Sequence, residues 1–125
     1  MEFNEIVQKE CDYALKVLGV KQLNFRPMRR KARVNVERGY VIGRTNLKTG
    51  NITIDIYTPK ERKNKKISSI LRTLCHEVAH HQKKPFRQLY KWKWIVRQHY
   101  PEFYKQVNNN IEVLKKDLHL KRYFN

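Results

Sequence analysis

Within one helical turn, His76-Glu77-Val78-Ala79-His80 places two imidazoles and a carboxylate, and this constrains the chain more than any other stretch. Histidines four residues apart lie about 40° from each other around a helix, so both can reach one ion from the same face. Glu77 projects beside them, where it can polarise a water and accept its proton. The chemistry requires a helix, and the surrounding residues supply one. Ile67, Ile70, Leu71, Leu74 and Val78 recur at three- and four-residue intervals, the pattern of a buried stripe. Ser68 or Ser69 is the expected cap and Pro85 limits the far end.

A zinc ion in a hydrolytic site takes three protein ligands and keeps a position for water, so one more ligand is needed. Downstream, the residues open to this role are His99, Glu102, Glu112 and His119. His81 is adjacent to the pair but rotated by about 100° from His80, which turns it away. His119 lies near a chain end and is the weakest of the distant choices.

Elsewhere the pattern is mixed. Phe3, Ile6, Val7, Cys11, Ala14, Val17 and Leu18 repeat with helical period, with Asn4 as cap and Gly19 as stop. Leu23 to Met28 reads as a short strand ending near Pro27. Ala32 to Val36 and Tyr40 to Leu47 read as extended segments around a turn at Glu37-Arg38-Gly39. Lys48-Thr49-Gly50-Asn51 signals a hairpin turn, and Ile52, Ile54 and Ile56 alternate with polar neighbours as in a half-buried strand. That strand is expected to offer an open edge to an extended peptide. Phe86 to Gln98 is read as a helix, and Pro101 opens a last helix running to about Leu120. The expectation is one α+β domain over residues 1–125: a backing helix, three or four strands, the helix with the motif, then closing helices.

Charge is the second constraint. With 28 Lys and Arg against 11 acidic residues, the formal net charge is +17. Such a surface gathers polyanions, so DNA or RNA is a candidate partner, although no nucleic-acid recognition motif occurs. The candidate contacts are Lys60, Arg62, Lys63, Lys65 and Lys66 in a basic loop, and Arg87, Lys91 and Lys93 among Tyr90, Trp92 and Trp94. Aromatics between cations can stack bases, but also serve as packing. No apolar run reaches membrane-spanning length and no signal peptide is evident, so a soluble, cytoplasmic protein is expected. Cys11 and Cys75 have no CxxC partner and read as small apolar residues on helices.

Two segments together resemble a known family. Thr73-Leu74-Cys75-His76-Glu77-Val78-Ala79-His80, with the later His99-Tyr100-Pro101-Glu102-Phe103-Tyr104, is similar to the SprT-like zincin metallopeptidases. The resemblance spans roughly residues 24 to 110 and includes a strand layer before the helix. It implies a zincin-like fold, Zn²⁺ held by His76, His80 and His99, Glu77 as general base, and a protein or peptide substrate, with DNA-associated proteins one such class. Three features depart from that pattern: a long interval between His80 and His99, Tyr100 in place of the usual glycine, and no cysteine-rich zinc module. In the rival gluzincin pattern a downstream glutamate completes the site, here Glu112 or Glu102. Tyr100 or Tyr104 would donate to the oxyanion. The other reading is a non-enzymatic basic protein that binds nucleic acid around an inert or structural metal site. The tail from Leu118 to Asn125 is long enough to fold back over a small cleft.

Overall fold

The computed structural model describes residues 2–28 and 42–125. The extended segment expected at Ala32 to Val36, the turn at Glu37 to Gly39 and the start of the 40–47 segment lie outside them. The described residues form a mixed α+β arrangement. Its elements are α1 (Phe3–Val17), β1 (Asn24–Pro27), β2 (Gly43–Thr45), β3 (Asn51–Ile54), α2 (Ile67–Gln82), β4 (Phe86–Tyr90), β5 (Lys93–Arg97) and α3 (Pro101–Lys116), closed by a 3-10 helix at Leu120–Phe124.

α1 buries Val7, Cys11, Ala14 and Leu15, the inward stripe of a helix. Its start is set by the extended backbone of Glu2, whose carbonyl accepts from Glu5 and Ile6, and not by an Asn4 cap. Gly19, at φ +72°, ends it. There the amide of Gly19 donates to Lys16 O and that of Val20 to Leu15 O, a pair of bonds that needs a left-handed residue at the turn. Similarly, α2 begins after an extended Lys66, so Ser68 and Ser69 fall inside its first turn.

β1 and β3 run parallel, with Phe25 opposite Ile52, while β2 runs antiparallel to β3, with Thr45 opposite Ile52. The β2–β3 turn is held by Asn46, whose side-chain oxygen accepts from the amides of Lys48 and Thr49. Gly50, at φ +78°, completes it, and a Cβ there would lie 3.0 Å from Gln22 O. The strand order β1-β3-β2 corrects one expectation. β3 is the central strand, paired on both sides, and cannot offer an open edge. The strand beside α2 with an unpaired side among the described residues is β2.

Beneath the sheet, Phe25, Ile52, Ile54 and Ile56 meet Ile70, Leu71, Leu74 and Val78 of α2 and Val7, Cys11 and Ala14 of α1 in one core. Both cysteines are buried and free. Just after β3 lies a buried ion pair. Arg62 donates to both carboxylate oxygens of Asp55, at 3.0 and 2.8 Å, and Lys65 Nζ donates to Asp55 O at 2.7 Å. Arg62 and Lys65, read above as cations for a polyanion, therefore face inward and brace the 59–66 loop. Lys63 pairs with Glu61.

Between α2 and α3 the expectation of a helix over 86–98 is overturned. The segment is a two-stranded antiparallel hairpin, with Phe86 opposite Arg97 and Tyr90 opposite Lys93. Lys91 and Trp92 form its two-residue turn, both left-handed at φ 49° and 66°. α3 then packs on α2 through Phe103, Ile111 and Leu114. It stops at Lys116, short of Leu120, because Asp117 turns extended. The Asp117 carboxylate accepts from the amides of His119 and Leu120 and so opens the 3-10 helix. The tail is fastened to α1: His119 Nε2 lies 2.7 Å from Glu10, and Leu120 is fully buried. Burial pushes the Glu10 carboxyl up, but hydrogen bonds from Tyr123 and His119 and the charges of His119 and Arg122 outweigh it and hold the group below its ordinary value. No helix among the described residues is long and apolar enough to cross a membrane.

Candidate metal centre

α2 carries His76 and His80 on one face, and the link from β5 to α3 carries His99 across from them. The three ring centroids are 5.0 to 5.3 Å apart. One nitrogen from each ring can be chosen such that all three lie within 4.8 Å of one another, and this is the one such group among the described residues. Phe103, fully buried in the first turn of α3, floors the group, with its ring 5.0, 4.5 and 5.2 Å from those of His76, His80 and His99. Pro101 at the start of α3 fixes the turn that sets His99 and Phe103 on either side of it.

The remaining sequence candidates lie apart from this group. Glu112 sits on the exposed face of α3, 3.4 Å from Lys115. Glu102 is exposed in the first turn of the same helix. His119 is taken up by Glu10. His81 hydrogen-bonds through Nε2 to Thr45 Oγ1, which ties α2 to β2. Tyr100 donates its hydroxyl to Lys84 O at 3.0 Å, whereas Tyr104 is half-exposed and stacks on His99 at 6.1 Å.

Electrostatics favours the ligating forms. Burial, reinforced by His76, His99 and His81, lowers His80 to a pKa of about 4. Burial and then His99 also lower His76. Both rings are therefore neutral near pH 7, with a lone pair for a metal. Glu77 is 7% exposed, and burial raises its carboxyl to about 7, into the range of a group that both takes and returns protons.

Around them lies a cleft of about 540 Å³ lined by Gly43, Arg44, Thr45 and Leu47 on one side and by Pro85, Gln98 and His99 on the other, with His76, Glu77 and His80 at its base. No residue of the 118–125 tail lines it. Gly43 is a partner of Glu77 that the sequence did not single out. A Cβ at that position would stand 3.1 Å from Glu77 Oε1 and 3.2 Å from Thr73 Cγ2, so any larger residue would push the Glu77 and Thr73 side chains aside by a few tenths of an ångström. Asn110 was also missed. Buried in α3, it donates to Cys75 O at 3.2 Å and to Gln82 Oε1 at 2.8 Å, which holds the two ends of the motif turn against α3. Its sequence signal was one polar residue on an apolar stripe, which becomes informative only once the opposing helix is known.

No family model matches the chain, and no curated protein or solved structure matches it.

Proposed function

We propose that the protein is a zinc-dependent metallopeptidase of zincin-like fold, with His76, His80 and His99 as ligands and Glu77 as general base. One observation carries the reading: three imidazoles converge beside a buried carboxylate at the base of an open cleft. The donor set fits the ion. Imidazole nitrogens suit zinc, and these three lie within 4.8 Å of one another, so side-chain rotations that draw them to the roughly 3.3 Å separation of tetrahedral ligands with bonds of about 2.0–2.1 Å would bring them to one centre. A set of three donors among the described residues also favours a catalytic over a structural site, because structural zinc is usually closed by four.

Zn²⁺, when bound, supplies the Lewis acidity that makes water a nucleophile near neutral pH. Glu77 takes the proton as the water attacks the peptide carbonyl and delivers it to the departing amine. Its raised proton affinity suits both transfers. Tyr104, beside His99, is the proposed donor to the oxyanion, since the Tyr100 hydroxyl is bound to Lys84. The side of β2 left unpaired among the described residues, along the cleft, is where an extended peptide adds as a further strand, and Gly43 lets that strand lie close to Glu77.

Zinc stoichiometry and hydrolysis of an unfolded protein such as casein test this. The expected result is one zinc per chain, with proteolysis that stops on chelation and returns when zinc is restored. Protein that binds no zinc, or that holds zinc without chelator-sensitive hydrolysis, favours the inert or structural site instead. A finer test is Gly43→Ala. The added methyl crowds the Glu77 carboxylate, so kcat is expected to fall roughly tenfold with zinc content unchanged. An unaltered kcat would remove Gly43 from this role.

A further inference from the structure

The β4–β5 hairpin is an arm with little core of its own. All five residues of β4 are exposed, and the strands pack chiefly on each other. Trp92 is 93% exposed at the tip and Trp94 is 64% exposed behind it, beside Leu89 and Val96. Soluble surfaces rarely leave such side chains in water without a partner. Cations accompany the rings throughout. Arg87 lies over Trp94 at 5.3 Å, and Lys91 and Arg97 approach Tyr90 at 5.3 and 5.7 Å. The stretch from Lys83 to Pro101 contains no acidic residue. The turn is strained as well: two consecutive non-glycine residues sit in the left-handed region, at a cost of about 1–2 kcal/mol each, and this holds Trp92 at the apex.

We propose that this arm is a binding surface for single-stranded nucleic acid, with Trp92 and Trp94 stacking on bases and Arg87, Lys91, Lys93 and Arg97 holding phosphates. A single strand offers what the arm lacks, namely flat apolar faces alternating with negative charge. A duplex hides its base faces and presents phosphate alone. A lipid surface fits less well. Trp92 is flanked on both sides by lysines at its own level, and these resist entry of the tip into hydrocarbon. An acidic protein would satisfy the cations but leaves the stacking faces unused. The stem of the arm, at Pro85 and Gln98, forms one wall of the metal cleft, so a strand held there lies beside it. The proposal goes beyond the peptidase reading and does not depend on it, because its readout needs neither metal nor turnover.

The chain has two tryptophans, and both are on the arm, so intrinsic emission reports on it alone. A thymidine oligomer of about 20 nucleotides is titrated into Glu77→Gln protein, followed by tryptophan emission and by anisotropy of the labelled strand. Saturable quenching in step with binding is expected, together with weaker binding to a duplex of the same length. By anisotropy, the Trp92→Ala/Trp94→Ala variant should bind about five- to 150-fold more weakly for each base that no longer has a ring to stack on. Lys91→Gln/Lys93→Gln should reduce the slope of log affinity against log salt by about 1.4. These side chains are exposed, and circular dichroism checks that the variants remain folded. Binding without quenching, duplex bound as tightly as the single strand, or wild-type affinity in the tryptophan variant would overturn the proposal. So would tryptophan emission that responds only to phosphatidylserine vesicles or to polyglutamate.

Discussion

Glu77→Gln protein is expected to bind one zinc per chain and to hydrolyse casein at least about 100-fold more slowly than wild type. The amide matches the carboxylate in volume, so the fit against Gly43 and Thr73 is kept. It cannot accept a proton, so attack by water loses its base. The three imidazoles are untouched, and metal content should not change. The pairing of these two measurements gives the test its force. Lost zinc would mean that Glu77 supports the ligands, and retained hydrolysis would assign the proton transfer to another group.

His99→Ala should separate the possible third ligands. With one donor of three removed, zinc affinity is expected to fall by more than about 100-fold, beyond the roughly 10- to 100-fold typical of losing an outer partner. Hydrolysis should fall with it, and high zinc should restore little, because no other donor among the described residues stands opposite α2. Glu102→Ala and Glu112→Ala serve as controls, since both carboxylates are exposed and Glu112 lies beside Lys115. Each should keep zinc at wild-type affinity. If Glu112→Ala releases the metal and His99→Ala does not, the ligand set proposed here is wrong. His80→Ala would be harder to read, because it also opens a gap against Phe103.

α2 was readable from its residues because its buried stripe is long and regular. β3 was readable because Ile52, Ile54 and Ile56 alternate with polar neighbours. Strand order was not, since nothing in a strand's own residues says whether it lies at the edge or the centre. That information resides in the pairing of β3 with both Phe25 and Thr45. The 86–98 hairpin was missed for a local reason. Two-residue hairpin turns usually announce themselves with Asn-Gly or Asp-Gly, and here Lys91-Trp92 adopts the left-handed geometry without glycine. The available strand signals were the β-branched and aromatic run Trp94-Ile95-Val96 and the two-residue alternation of Tyr90, Trp92 and Trp94 with Lys91 and Lys93. Spacing alone leaves His99, Glu102, Glu112 and His119 open, and only the likeness of the 99–104 segment favours His99. The caps at Asn4 and at Ser68 or Ser69 failed because extended backbone at Glu2 and Lys66 starts those helices two or three residues earlier.

His80 and His99 stand at the two ends of residues 81–98, and the arm is the chain between them. An ion shared by the pair would therefore act as a clasp, turning an open excursion into a closed ring and restricting the swing of everything it encloses. By linkage, the grip on the ion and the steadiness of the ring are one free energy, so metal supply would govern how firmly the arm is held at the wall of the cleft.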